Sequence, residues 1–295
     1  MNKIPYYPGC TLTNTAKNFD RSARESMKAL DWELDELPRW NCCGTVYSLA
    51  SDNLINHVGP IRILNHVQEL GQNRMTTLCS MCFHTLKLAN DLVRQDRDKL
   101  EKINFFMKNK DNDPEYKGGV DVVHLLEILR DEVKFETIKA KTVKPLKGLK
   151  LVPYYGCLLT RPKQVAIDNV EQPTVMGDLI NALGGESLYD PFLTECCGSY
   201  HTVMDKGVVV DKADRILSSA KKKGGEAIIT SCPLCFFNLD ARQKDIREKT
   251  GKSPEMPVFY FTQLMALALG LSPETCLFDL HAVDPMPLLK AKNIL

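Results

Sequence analysis

No run of apolar residues in this chain is long enough to cross a membrane as a helix. The longest, "PVFYFTQLMALALGL", covers about 15 residues and includes the polar Thr262 and Gln263, whereas a spanning helix needs roughly 20. The opening "MNKIPYYPGC" has none of the apolar core of a signal peptide. Charge of one sign is missing too: 38 Lys and Arg stand against 37 Asp and Glu, a net charge of +1. That balance gives no basis for a nucleic-acid or anionic-membrane partner. A G-x-G-x-x-G turn for a dinucleotide or flavin is also lacking. Together these absences lead us to expect a cytoplasmic globular protein, and 295 residues suffice for two domains with a core each.

Cysteine, by contrast, is abundant. There are eleven, and in a reducing compartment they point to metal binding or thiol chemistry rather than to a disulfide framework. Ten form two sets of five. Cys10, Cys42, Cys43, Cys79 and Cys82 read C-x31-C-C-x35-C-x2-C; Cys157, Cys196, Cys197, Cys232 and Cys235 read C-x38-C-C-x34-C-x2-C. The surrounding text repeats as well. "YYPGCTLT" answers "YYGCLLT", "TTLCSMCFHTL" answers "ITSCPLCFFNL", and "VDVVHLLEIL" answers "PVFYFTQLMAL". The chain is thus an internal duplication of about 150 residues. The Lys-rich stretch "KAKTVKPLKGLK" sets the expected boundary, with domains at 1–147 and 148–295.

Short β-rich runs alternate with helical patterns in both halves. "KIPYYP", "WELDELP" and "RMTTLC" read as strands, and "GVDVVHLLEILR" as a strand and then a helix. "TAKNFDRSARESMKAL", "LINHVGPIRILNHVQEL" (bent or begun near Pro60) and "FHTLKLANDLV" read as helices. The second half follows with "LKLVPYY", "PTVMGDLINAL", "ESLYDPF", "VVVDKADRILSSAKKK", "EAIITSC", "FFNLDARQKDI" and "PVFYF". The predicted fold class is α/β, with two homologous Rossmann-like domains, each a mainly parallel sheet flanked by helices. Each cysteine or cysteine pair that opens a motif follows a predicted strand. Ligands of open α/β sheets collect at the carboxyl ends of strands, so five thiols should converge there in each domain.

Adjacent cysteines make strained disulfides, and zinc seldom takes two ligands in a row. Zinc sites normally use four ligands, often as two C-x2-C pairs, but each half has one such pair and five thiols. A thioredoxin-type pair would leave three thiols unexplained. Iron–sulfur clusters accept dispersed thiolates and fit best, with zinc and thiol redox chemistry as the alternatives. The segments that start at Cys79 and Cys232 open helices, whose N–H groups favour an anion. Gly9, Gly44, Gly156 and Gly198 permit close backbone approach or simply make turns.

The duplicated pattern, with "CCG" at both centres, resembles the B subunit of heterodisulfide reductase over nearly the whole chain. The resemblance implies two noncubane 4Fe–4S clusters, one held by Cys10, Cys42, Cys43, Cys79 and Cys82 and one by Cys157, Cys196, Cys197, Cys232 and Cys235. It implies that one cysteine of each set bridges irons and that both clusters line one cavity between the domains. A bound disulfide, of the coenzyme M–coenzyme B type or an analogue, would be reduced there, making the ten cysteines catalytic through their clusters. The partners it implies are a ferredoxin-like C subunit and a flavin-containing A subunit. A different reading is a non-catalytic electron-transfer subunit of a larger redox complex.

Other residues carry weaker signals. His84 and His201 lie just beyond cysteine motifs, where they could give a hydrogen bond or a proton, or merely pack. Lys17, Arg161 and Lys163 follow Cys10 and Cys157 and could contact an anionic substrate, or be solvated surface charges. Cys276 stands outside both repeats and reads as a buried structural thiol.

Overall fold

The computed structural model describes residues 1–45, 53–108 and 114–295. Its strands form two separate four-stranded sheets, both entirely parallel in their pairings. The first contains β1 (Asn2–Tyr6), β2 (Trp32–Glu36), β3 (Arg74–Thr77) and β4 (Asp121–His124), in the order β2-β1-β3-β4. Its helices are α1 (Lys17–Ala29), α2 (Val58–Glu69), α3 (Ser80–Gln95), α4 (Arg97–Met107) and, beyond β4, α5 (Phe135–Lys141). The second sheet repeats that order as β6-β5-β7-β8, built from β5 (Lys150–Tyr154), β6 (Glu186–Ser187), β7 (Ala227–Thr230) and β8 (Val258–Tyr260). Around it lie α6 (Val175–Ala182), α7 (Lys206–Lys222), α8 (Pro233–Asp240), α9 (Gln243–Thr250), α10 (Phe261–Ala268) and α11 (Met286–Ala291).

The expected elements form for the expected reasons. In and around α1, Ala16, Phe19, Ala23, Met27 and Leu30 make one buried stripe. Every residue of β7 is buried, as befits a parallel strand covered on both faces. Helix α2 begins at Val58, with Pro60 in its first turn, where an amide has no intrahelical acceptor to lose.

Two segments depart from the pattern. "ESLYDPF" pairs only through Glu186 and Ser187. The buried Asp190 carboxylate accepts the Phe192 N–H at 2.8 Å and the Ser219 hydroxyl at 2.6 Å. Pro191 has no N–H for a ladder, so the chain turns out of the sheet there. "FFNLDARQKDI" is two helices, α8 and α9, because Asp240 is diverted to the C-terminal tail. Its carboxylate accepts the N–H groups of Ala282 at 2.6 Å and Val283 at 3.1 Å.

The halves exchange their closing helices. Helix α10 of the second half packs on α1 of the first, and α5 of the first packs on α6 of the second. At the first crossing the Ser22 and Thr262 hydroxyls lie 2.6 Å apart, fully buried. Beside them Tyr260 is stacked between Phe19, at 4.2 Å, and Phe236, at 4.3 Å. One continuous apolar core therefore runs through both halves.

Two consequences can be measured. Phe19→Ala removes one side of that stack and should cost about 3–5 kcal/mol, read as an earlier urea midpoint; a loss below about 1 kcal/mol would show that the crossing is not what joins the halves. Burial lowers His124 and His281 to about 4. Unfolded, each takes a proton near pH 6.5, so between those values the unfolded chain binds more protons and stability falls as pH drops. The expected loss approaches about 3 kcal/mol per histidine across that interval, and His124→Gln or His281→Gln should flatten the slope; a pH-independent midpoint from 6.5 to 4.5 would refute it.

Candidate metal centres

In a parallel sheet of order β2-β1-β3-β4, the connections after β1 and β3 diverge and leave a crevice between them. Cys10 follows β1, and Cys79 follows β3 after Leu78. Cys157 and Cys232 hold the same places beyond β5 and β7. The pairs arrive by a longer route than the sequence suggests. Cys42 is preceded by five loop residues after β2, and Cys196 by eight after β6, because both edge strands end early.

All ten are free thiols, and one contact recurs in both sets. The sulfurs of Cys10 and Cys42 are 3.9 Å apart. The second cysteine of each pair meets the last cysteine of its set, Cys43 with Cys82 at 3.5 Å and Cys197 with Cys235 at 3.5 Å. Cys79 and Cys232 are the N-caps of α3 and α8. As the N-cap of a 16-residue helix, Cys79 sits at the positive end of its dipole. Gly9 and Gly156 have φ of +74° and +65°, and a Cβ there would stand 3.0 Å from the Cys82 sulfur and 3.1 Å from that of Cys235. Only glycine brings the first-cysteine turn so near the last cysteine.

The shared protons divide each set. Cys42 is pulled down to about 2 by the hydrogen bonds from Cys10 and Cys43, while Cys10 is raised by the same contact with Cys42 and by burial. Cys79 is lowered by its bond with Cys82, which is raised in turn by Cys43 and Cys79. In the second set, the Cys157 thiol lowers Cys196 to about 6, and Cys235 lowers Cys197. Further donors reach these sulfurs: the Gly198 N–H to Cys196 at 3.3 Å and the Asn238 amide to Cys197 at 3.5 Å. Five converging sulfurs per set, served by N–H donors and not cross-linked, are a donor set that fits an iron–sulfur cluster. Among the described residues, no group of three or more Cys, His, Asp or Glu side chains is gathered tightly enough to hold a single metal ion.

The sites differ in access and are joined at their bases. Cys10 and Cys42 are exposed, whereas Cys157 and Cys196 are half-buried. The Ser80 hydroxyl, beside Cys79, lies 2.8 Å from that of Ser231, beside Cys232. A small cavity at this junction is lined by Cys157, Cys197, Cys232 and Cys235 together with Ser80 and Met81 of the first half. Thiols of the first set do not form its wall, so it is not the cavity shared equally by both sets that the resemblance implies.

The weaker candidates are scattered. His84 is buried and lowered to about 4 by that burial. The Arg161 guanidinium donates to the Thr194 hydroxyl at 3.0 Å. Lys17, Lys163 and His201 are exposed, and no hydrogen bond among the described residues ties any of the five to a cysteine sulfur. Cys276 is buried and donates to the Gln263 carbonyl at 3.4 Å. Several neighbours of the thiols escaped the sequence reading. Tyr7 and Tyr154 are buried against the two sets, and both lie within the repeated Y-x-G-C text that could have revealed them. Tyr200, whose hydroxyl is raised by burial and by the nearby thiols, has no such textual signal.

The CCG cysteine-rich domain family matches residues 4–87 and again 151–240. The 8-methylmenaquinol:fumarate reductase membrane anchor subunit of Wolinella succinogenes is 28% identical, over 96% of this chain and 98% of its own. The B subunit of a ferredoxin:CoB-CoM heterodisulfide reductase from Methanosarcina mazei is 27% identical over 96% and 95%, and its ferredoxin/F420H2-dependent counterpart from Methanosarcina acetivorans 26% over 96% and 95%. A crystal structure of a hypothetical protein from Helicobacter pylori superposes with a TM-score of 0.75 at 9% identity, over 96% of this chain. This chain spans about half (52%) of that one, and the likeness concerns the fold alone. With two domain matches and two complete thiol sets in register, the chain belongs to the CCG cysteine-rich domain family and carries the domain twice.

Proposed function

We propose that this chain is the iron–sulfur subunit of a redox complex and that it reduces a small-molecule disulfide between its two domains. One observation carries the reading: both halves retain a complete set of five thiols with the same contact between the second paired cysteine and the last one, and the sets meet base to base through Ser80 and Ser231. A subunit that only relayed electrons has no need of two complete five-thiol sets. The relatives named as heterodisulfide reductase B subunits, aligned nearly end to end, support the same activity.

Family membership implies iron–sulfur clusters, and the finer assignment is ours: two of the noncubane 4Fe–4S type. Cys10, Cys42, Cys43, Cys79 and Cys82 would hold one, and Cys157, Cys196, Cys197, Cys232 and Cys235 the other, with the duplicated units dividing near residue 147. When bound, such clusters supply electrons singly, and a disulfide takes two electrons and two protons to give two thiols. The protein's own groups would stabilise the thiolates through the Gly198 N–H, the Asn238 amide and the positive ends of α3 and α8. Lys17, Arg161 and Lys163 would draw in an anionic substrate, and His201 would deliver a proton. His84, neutral at pH 7, would serve by hydrogen bonding rather than as an acid. The electrons would come from a ferredoxin-like C subunit and a flavin-containing A subunit in the cytoplasm. Among the described residues no helix is long and apolar enough to cross a membrane.

A second reading, an electron-transfer subunit without substrate chemistry, has one observation in its favour: the relative at 28% identity is named as a subunit of a fumarate reductase.

Anaerobic reconstitution should load about four irons and four sulfides per set. Cys43→Ala or Cys197→Ala should remove about half of that iron, and tightly bound zinc in its place would refute both readings. With iron loaded, a low-potential one-electron donor should drive disulfide reduction, and oxidation with added thiol should produce a new paramagnetic signal. Intact clusters with neither effect would leave the electron-transfer reading.

A further inference from the structure

Each half contains a buried tyrosine whose hydroxyl is used in the same way. Tyr7 donates to the carbonyl of Asn41 at 2.9 Å, and Tyr154 to the carbonyl of Glu195 at 2.6 Å. Those carbonyls belong to the residues immediately before Cys42 and Cys196. Each tyrosine lies three residues before the first cysteine of its set, Cys10 or Cys157. Both are essentially inaccessible, at 0% and 1% exposure. The ring edge touches the first-cysteine turn: a Cβ on Gly9 would stand 3.4 Å from Tyr7 Cε1, and one on Gly156 3.7 Å from Tyr154 Cε1. The same Cβ position would stand 3.0 Å from the Cys82 sulfur in the first half and 3.1 Å from the Cys235 sulfur in the second.

We propose that Tyr7 and Tyr154 are positioning residues, each a clamp that fixes the spacing of three cysteine-bearing segments in its own half. The phenol ring fills the space beside the first-cysteine turn, while its hydroxyl sets the peptide plane that leads into the paired cysteines. Each carbonyl is part-buried and takes a hydrogen bond from its tyrosine. A phenylalanine would fill the space and leave that acceptor unbonded, so the paired-cysteine loop would lose its fixed orientation without loss of packing. Since the two bonds lie in different halves, the clamps act independently. Trp40 packs edge-on against Tyr7 at 5.6 Å, and Thr194 stands at the equivalent place in the second half. The exposed first site thus has an added support that the second lacks.

The proposal rests on the reading of the ten cysteines as ligands, and its test needs no metal. In the full-length, metal-free chain, the buried Cys43 and Cys197 thiols are timed against iodoacetamide under native conditions and followed by peptide mass spectrometry. Tyr7→Phe should speed modification of Cys43 by about fivefold or more and leave Cys197 unchanged. Tyr154→Phe should do the reverse, and neither should shift the melting temperature enough to loosen both sites. In the iron-loaded chain each variant should release iron to a chelator from one site only. Wild-type rates in both variants, or equal acceleration at both thiols with a lowered melting temperature, would overturn the proposal. Half-selective loosening in a chain that binds no iron would keep the clamps and discard the cluster reading.

Discussion

A parallel sheet whose strand order reverses between β1 and β3 must send the two following connections to opposite faces, and that divergence is the constraint from which the sites arise. The crevice it opens receives the first cysteine from one side and the N-terminus of α3 from the other. The loop that follows the edge strand β2 then brings in two sulfurs together. Three separate pieces of chain are therefore held around one volume by backbone hydrogen bonds distant from it. The thiols do not have to organise themselves, which matters because their mutual contacts are unfavourable when more than one is ionised.

The second sheet repeats this geometry, yet neither half is self-contained. Closing helices cross over, α10 onto α1 and α5 onto α6, and Tyr260 is stacked between rings from both halves. The exchange brings the two carboxyl-terminal sheet edges together, so that Ser80 and Ser231 meet. Burial lowers His84 to about 4 and so keeps it neutral at pH 7. Duplication supplied like sites, and the crossing gave them different exposure: Cys10 and Cys42 open to solvent, Cys157 and Cys196 half covered.

Much of this could be read from residues alone. The apolar stripe of α1, the β–α alternation and the spacing of ten cysteines predicted the fold class and the convergence of each set, because periodicity and strand-end placement are local properties. Reading failed where a distant partner decided the outcome. "ESLYDPF" has strand-like composition, but Asp190 finds Ser219 and turns the chain away. "FFNLDARQKDI" has helical spacing, but Asp240 is claimed by amides some forty residues on. Tyr7 and Tyr154 were visible as repeated letters, while their shared bond to the carbonyl before each cysteine pair was not.

The sequence by itself determined how many thiols there are, how they group, and that each group belongs at a strand end, since these follow from covalent order and local conformational preference. Tertiary structure decided which sulfurs touch, which of them face water, and that the two groups lie back to back across a serine pair. The sulfur contacts join residues more than thirty positions apart and the serine contacts residues more than a hundred apart, where no local pattern can specify the partner.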